Sequence, residues 1–105
     1  MTGRRESEVL AGVLSYLSTR KDMYCWRQNT GGSRFGSTYV KFGTKGAADI
    51  QCIQAPTGRF VAIEVKRQFG GRVSKDQEAW GQAVEAKGGR YIVARSVDDV
   101  EKALR

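Results

Sequence analysis

A chain of 105 residues, 40% apolar and 28% charged, has the size and balance of one folded domain, and its apolar runs, such as Phe60-Val61-Ala62-Ile63, are far too short to span a bilayer. It contains no histidine, which excludes histidine-dependent catalytic triads, histidine acid–base chemistry and histidine-ligated zinc; two cysteines, Cys25 and Cys52, are too few for an all-thiolate zinc site or a disulfide framework and read as reduced core thiols. The net charge of +7 sits in the middle of the chain: Arg27 to Lys75 holds nine basic residues against two acids, Asp49 and Glu64, and the flanks cancel, so the block suits a polyanion such as nucleic acid, the plain alternative being a solvated basic face.

The charged start, Met1 to Leu10, lacks the apolar core of a signal peptide, so a soluble, cytoplasmic location is expected, with no membrane partner. Arg5 to Arg20 reads as a helix, with Val9, Leu10, Val13, Leu14 and Leu17 at helical spacing. Met23 to Gln28 reads as a strand, Asn29 to Ser33 as a loop, Thr38 to Phe42 as a short strand and Gly43 to Gly46 as a second loop. Asp49 to Gln54 and Arg59 to Lys66 are strands whose short connection, Ala55-Pro56-Thr57-Gly58, predicts an antiparallel hairpin. After Gly70-Gly71, Ser74 caps a helix running to about Ala86 with Asp76 and Glu78 at its positive end. Tyr91 to Ala94 is a strand, and Val97 to Leu104 a last helix capped by Ser96. The expected fold is α/β, a mixed sheet flanked by helices in the order α-β-β-β-α-β-α, with Thr38 to Phe42 as a weakly marked additional strand after the first.

Alternation along Arg59 to Lys66 places Val61, Ile63 and Val65 on one face and Ala62, Glu64 and Lys66 on the other. Asp49 opens the preceding strand and lies beside Glu64 if the register allows. Two carboxylates and an ammonium converging there would make a Mg²⁺ site with a lysine alongside; the plain alternative is a Glu64–Lys66 pair on a wet face. A cation site needs local carboxylates where a phosphate channel otherwise excludes them, and Asp49 and Glu64 are the only acids of the basic block. Glu6 falls within the apolar stripe of the first helix, whereas Glu8 points nearly opposite, so Glu6 is favoured over Glu8 as a third acid. Gln77 shares a helix face with Trp80, Gly81 and Val84, where a buried amide requires a partner: water, Lys66, a substrate phosphate or a helix-cap contact.

Glu6, Trp26-Arg27-Gln28-Asn29-Thr30-Gly31, Gly43-Thr44-Lys45-Gly46-Ala47-Ala48-Asp49, Ile63-Glu64-Val65-Lys66, Ser74-Lys75-Asp76-Gln77 and the tail Gly88 to Ala94 together resemble the virus-type replication-repair nuclease (VRR-NUC) domain of the PD-(D/E)xK nuclease superfamily. Ala48 departs from the superfamily's proline, at a turn position rather than a ligand. The resemblance spans nearly the whole chain, 1–105, as a single nuclease domain with the restriction-endonuclease-like core. It implies Mg²⁺ or Mn²⁺ held by Asp49, Glu64 and the Val65 carbonyl, with Glu6 completing the shell. Lys66 would act on the attacking water and the developing phosphorane charge, supported by Gln77. Arg27, Asn29, Arg34, Lys41, Lys45, Arg67, Arg72 and Lys75 are the expected nucleic-acid contacts; none offers a base code, so recognition of DNA structure rather than sequence is expected. Stand-alone relatives suggest a symmetric homodimer on a branched DNA such as a Holliday junction or flap, with Phe35, Tyr39 and Phe42 as interface or core residues. No small-molecule cofactor is expected. A catalytically inactive DNA-binding module and an adaptor for an acidic protein are the alternative readings, and nothing in the residues separates RNA from DNA.

Overall fold

The computed structural model describes residues 3–28, 32–41 and 44–105, with the backbone alone at 32–35 and 39–41. Nine elements follow in order: α1 (Glu6–Ser18), β1 (Met23–Arg27), β2 (Gly32–Phe35), β3 (Thr38–Lys41), β4 (Ile50–Gln54), β5 (Arg59–Val65), α2 (Lys75–Ala86), β6 (Arg90–Ala94) and α3 (Val97–Ala103). β1, β4, β5 and β6 form one mixed sheet in that spatial order, antiparallel except for β5 and β6. Three helices flank this α/β sheet, as the sequence predicts. The Ala55–Gly58 connection does close an antiparallel hairpin, with Ile50 opposite Ile63 and Gln54 opposite Arg59.

One expectation needs correction. The stretch Asn29 to Ser33, read as a loop from its Asn, Gly and Ser content, ends in a strand: Gly32–Phe35 pairs antiparallel with Thr38–Lys41 across the Gly36-Ser37 turn as a separate two-stranded sheet. Turn-forming residues mask strand propensity there, and only the cross-strand partner, with Gly36 at φ +63°, makes extended backbone favourable. Asn29 and Phe42 lie outside the described residues, as do the side chains of Arg34, Phe35, Tyr39 and Lys41, so the roles expected of them have no structural description.

The core lies between one sheet face and the first helix. Val9, Val13 and Leu17 of α1 are buried against Ile50 and Cys52 of β4 and Val61, Ile63 and Val65 of β5, joined by Ile92, Ala94, Val100 and Leu104. Each such side chain contributes about 1.5–3 kcal/mol on leaving water. α3 completes this layer, and Gly12 gives it close approach, because a Cβ there would stand 3.0 Å from Val97. Cys25 and Cys52 are opposite one another on β1 and β4 as free thiols, Cys52 buried and Cys25 half-buried, in keeping with a core role.

Among the described residues the other face is covered on one side only. α2 packs Trp80 edge-on against Phe60 and Tyr91, at ring separations of 6.3 Å and 6.0 Å. Gly81 is the point of closest approach: a Cβ there would fall 2.6 Å from the Tyr91 ring. This contact fixes α2 over β5 and β6, and with it the height of Gln77 above Glu64. Gly81→Ala is therefore expected to lower stability by about 2 kcal/mol through overpacking, measured as a shift in the urea midpoint; an unchanged midpoint would show that α2 is free to lift from the sheet.

Candidate active site

The β4–β5 ladder ends at Ile50 and Ile63, and the site is built where it stops. Asp49 precedes β4, and its Oδ2 accepts a hydrogen bond from the Val65 amide at 2.8 Å, replacing the strand partner that Val65 lacks on that side. On the other side β5 continues its parallel pairing, with the Lys66 amide donating to the Ala94 carbonyl at 2.9 Å. The Asp49 carboxylate on one side and the β6 backbone on the other thus hold the segment Glu64-Val65-Lys66 at the sheet's end. The Thr44–Asp49 loop reaches its place because Gly46, at φ +82°, packs directly on the first turn of α2, where a Cβ would collide with the Asp76 carbonyl. An exposed Lys45–Asp76 pair, 3.4 Å apart, accompanies that contact.

Glu64 is 2% exposed, so the plain alternative of a wet surface pair with Lys66 is overturned: strand alternation assigns its face correctly, but α2 buries that face at this point. Its Oε2 accepts from Gln77 Nε2 at 3.0 Å and lies 3.5 Å from Lys66 Nζ. Its Oε1 is buried with no hydrogen-bond partner among the described residues. Gln77 is the bridge of the cluster. Its Oε1 accepts from Lys66 Nζ and from the Ser74 amide, both at 2.9 Å, while its Nε2 donates to Glu64. Two donors on one end and a carboxylate on the other fix the amide's orientation. Ser74 caps α2 as expected, its Oγ accepting from the Gln77 amide at 3.2 Å. The apolar-face position of Gln77 thus reflects a polar network at the top of α2.

Glu6 completes an acidic triad. One carboxylate oxygen from each of Glu6, Asp49 and Glu64 lies within 4.8 Å of the others. Glu8 is turned away, its Oε1 accepting from Arg5 Nε at 3.1 Å and from the Arg5 amide at 3.3 Å. Burial first, and then the neighbouring Asp49, push the Glu64 carboxyl up to about 8 against the pull of Lys66. Three converging carboxylates, one of which, Glu64, keeps a buried oxygen without a partner among the described residues, are the hard donor set that a small divalent cation requires, and a cation would relieve the repulsion among them. The residues present fit such an ion.

Other expected contacts surround this cluster. Arg27 ends β1, Lys45 flanks Gly46, Arg67 and Arg72 lie in the loop after Lys66, and Lys75 opens α2; all five are exposed. Two residues escape sequence reasoning. Tyr91 has a buried hydroxyl without a partner among the described residues, and burial together with the charges of Glu64 and Asp49 pushes it up to about 12. Its position on β6, opposite Ala62 on the face of Glu64, was the available signal. Arg95 clamps the loop behind Lys66, donating to the carbonyls of Arg67, Gly70 and Gly71. Only folding reveals that contact, since 24 residues or more separate the partners.

The VRR-NUC domain model matches residues 18–98, which contain Asp49, Glu64, Lys66 and Gln77. The chain belongs to the VRR-NUC family. No curated protein and no solved structure matches it significantly. Membership implies a nuclease acting on DNA, and the mixed sheet with flanking helices agrees with a PD-(D/E)xK-like core. Glu6 lies ahead of the matched segment, so its place beside Asp49 and Glu64 rests on geometry. No helix among the described residues is long and apolar enough to cross a membrane.

The raised Glu64 carboxyl has a consequence for stability. Without metal the folded chain retains a proton that the unfolded chain has lost, so stability falls as pH climbs from 4.5, the ordinary value, to about 8. Glu64→Gln, neutral throughout, should remove that slope and leave the metal-free variant the more stable by at least about 1 kcal/mol at the alkaline end. Urea titrations at stepped pH in EDTA check this; equal slopes in both proteins would assign the burden elsewhere.

Proposed function

We propose that the protein is a Mg²⁺- or Mn²⁺-dependent endonuclease that hydrolyses phosphodiester bonds in branched DNA, a Holliday junction or flap, as a homodimer. The observation that carries the reading is the meeting of Glu6, Asp49 and the half-unpartnered Glu64 beside the Lys66–Gln77 pair at the edge of a basic surface. Glu6, Asp49 and Glu64, with the Val65 carbonyl, would hold the ion. When bound, it supplies charge neutralisation at the scissile phosphate and a lowered pKa for water.

The chain's own residues do the rest. Water attacks phosphorus in line, one P–O bond forms as the opposite P–O bond breaks, and a proton must leave the water while another reaches the departing oxygen. Lys66 Nζ is held by Gln77 at 2.9 Å and by Glu64 at 3.5 Å, which accounts for two of its three donor directions and leaves one for the water or a phosphate oxygen. Gln77 sets that direction; it positions Lys66 without touching substrate. Arg27, Lys45, Arg67, Arg72 and Lys75 supply phosphate contacts, with Asn29, Arg34 and Lys41 proposed to join them. A two-fold dimer would present two such sites to a two-fold junction. That arrangement predicts sedimentation as a dimer at micromolar concentration, and a monomer there would remove it.

The decisive experiment is cleavage of a labelled four-way junction, a flap and a linear duplex in Mg²⁺, Mn²⁺ and EDTA. Wild-type protein should cut only with metal and prefer a branched substrate. Asp49→Ala and Glu64→Ala should each reduce cutting by at least about a thousand-fold while retaining DNA binding, the magnitude seen when electrostatic stabilisation of a transition state is lost. Retained cutting would refute the site assignment. Metal-independent binding without cutting by the wild type would leave a DNA-binding module of the same fold.

A further inference from the structure

The sheet face that bears Glu64 continues beyond the reach of α2, and what it carries there is aromatic. The register places Gln51 of β4 between Trp26 of β1 and Ala62 of β5, one row below the Asp49–Glu64 end of the sheet. The next row on the same face is Tyr24, Ile53 and Phe60. Rows on one face are separated by about 7 Å, which is the spacing at which unstacked bases follow an extended strand. α2 covers Phe60 through Trp80, but Tyr24 is 73% exposed and Ile53 43%. Tyr24 and Trp26 stand side by side with ring centres 5.9 Å apart and planes inclined at 52°, so they offer two differently tilted surfaces instead of closing on each other.

The setting of these rings is cationic. Lys21 borders the hollow beside Tyr24 and Ile53, and Lys87 borders a groove of about 300 Å³ between Phe60 and Trp80. Arg59 is exposed at the start of β5. The acid that lines these hollows, Asp22, is neutralised: it receives two hydrogen bonds from Arg20, at 2.9 Å and 2.7 Å, and a third from Gln54. An aromatic surface framed by ammonium and guanidinium groups suits a chain of flat rings joined by phosphates. It suits contact with the same face of a second copy poorly, because Lys21, Arg59 and Lys87 would meet their own like charges.

We propose that the Tyr24–Trp26–Ile53 face is a stacking platform for an unpaired arm of the DNA, leading that single strand along β1 and β4 toward the Asp49–Glu64 end of the sheet. This rests on the nuclease reading and narrows it, since the substrate then carries a single-stranded arm adjoining the cut. Base stacking on an aromatic side chain contributes about 1–3 kcal/mol per base and is indifferent to sequence. That agrees with a surface offering rings rather than a pattern of donors and acceptors.

The test separates the platform from the chemistry. Binding of a fluorescent oligothymidylate and of a blunt duplex is measured by anisotropy in EDTA, where no cutting occurs. Tyr24→Ala should weaken oligothymidylate binding about ten-fold, Tyr24→Phe should restore it to within about two-fold, and duplex binding should change little in either. Tyr24 is exposed, so both variants should fold, and thermal melting verifies this; Ile53→Gln provides a second variant on the same face and should weaken the same probe. Equal oligothymidylate binding by wild type and Tyr24→Ala would overturn the platform, as would loss of both probes together. A wild-type dimer that becomes monomeric in Tyr24→Ala would reassign the face to self-association. None of these readings depends on Glu64, whose alanine variant tests the nuclease site separately.

Discussion

A carboxylate with almost no access to water, standing beside a second carboxylate, is costly to maintain, and much of this fold can be understood as the means of keeping Glu64 in that position. Its burial comes from α2 lying over β5, which depends on Gly81 admitting the Tyr91 ring and on Trp80 packing against Phe60. Its partial compensation comes from Lys66 and Gln77, one a charge and the other an amide with two ends. Neither satisfies Oε1. A buried polar atom left in this condition raises the free energy of the metal-free state by a few kcal/mol at most, and the same deficit favours any cation that enters.

The arrangement also shows how a small domain without histidine can assemble hydrolytic machinery. Each participant comes from a different element: Glu6 from the start of α1, Asp49 from the approach to β4, Glu64 and Lys66 from the end of β5, Gln77 from the first turn of α2. They meet because these termini converge at one end of the sheet. Asp49 serves two purposes there, since its Oδ2 stitches the end of β5 while the same carboxylate contributes to the acidic triad. Loss of Asp49 therefore affects the geometry of Glu64-Val65-Lys66 as well as the charge.

The two sheet faces divide the work. One is a continuous apolar layer beneath α1 and α3, where the side chains are interchangeable within limits of volume. Among the described residues the other is only half covered. That asymmetry leaves Tyr24 of β1 and Ile53 of β4 exposed on the face that bears the acids, so the site adjoins a surface on which a ligand can rest.

Local chemistry within the sequence determined most of the elements, because each is encoded by its own spacing: the 3.6-residue stripe of Val9, Val13 and Leu17, the alternation of Val61, Ile63 and Val65, the Pro-Gly connection between β4 and β5, and the Ser74 cap. It also marked Asp49, Glu64 and Lys66 as residues of interest, since two acids within a basic block are conspicuous without any coordinates. The apolar stripe of α1 likewise favoured Glu6 over Glu8, and the fold brings Glu6 beside Asp49 and Glu64 while Glu8 turns toward Arg5. The tertiary structure alone decided two matters. It paired Gly32–Phe35 with Thr38–Lys41, because strand propensity in a glycine-rich stretch appears only when a partner is present. And it buried Glu64, because burial is set by the element that packs above a strand, and no spacing within the strand reports what lies above it.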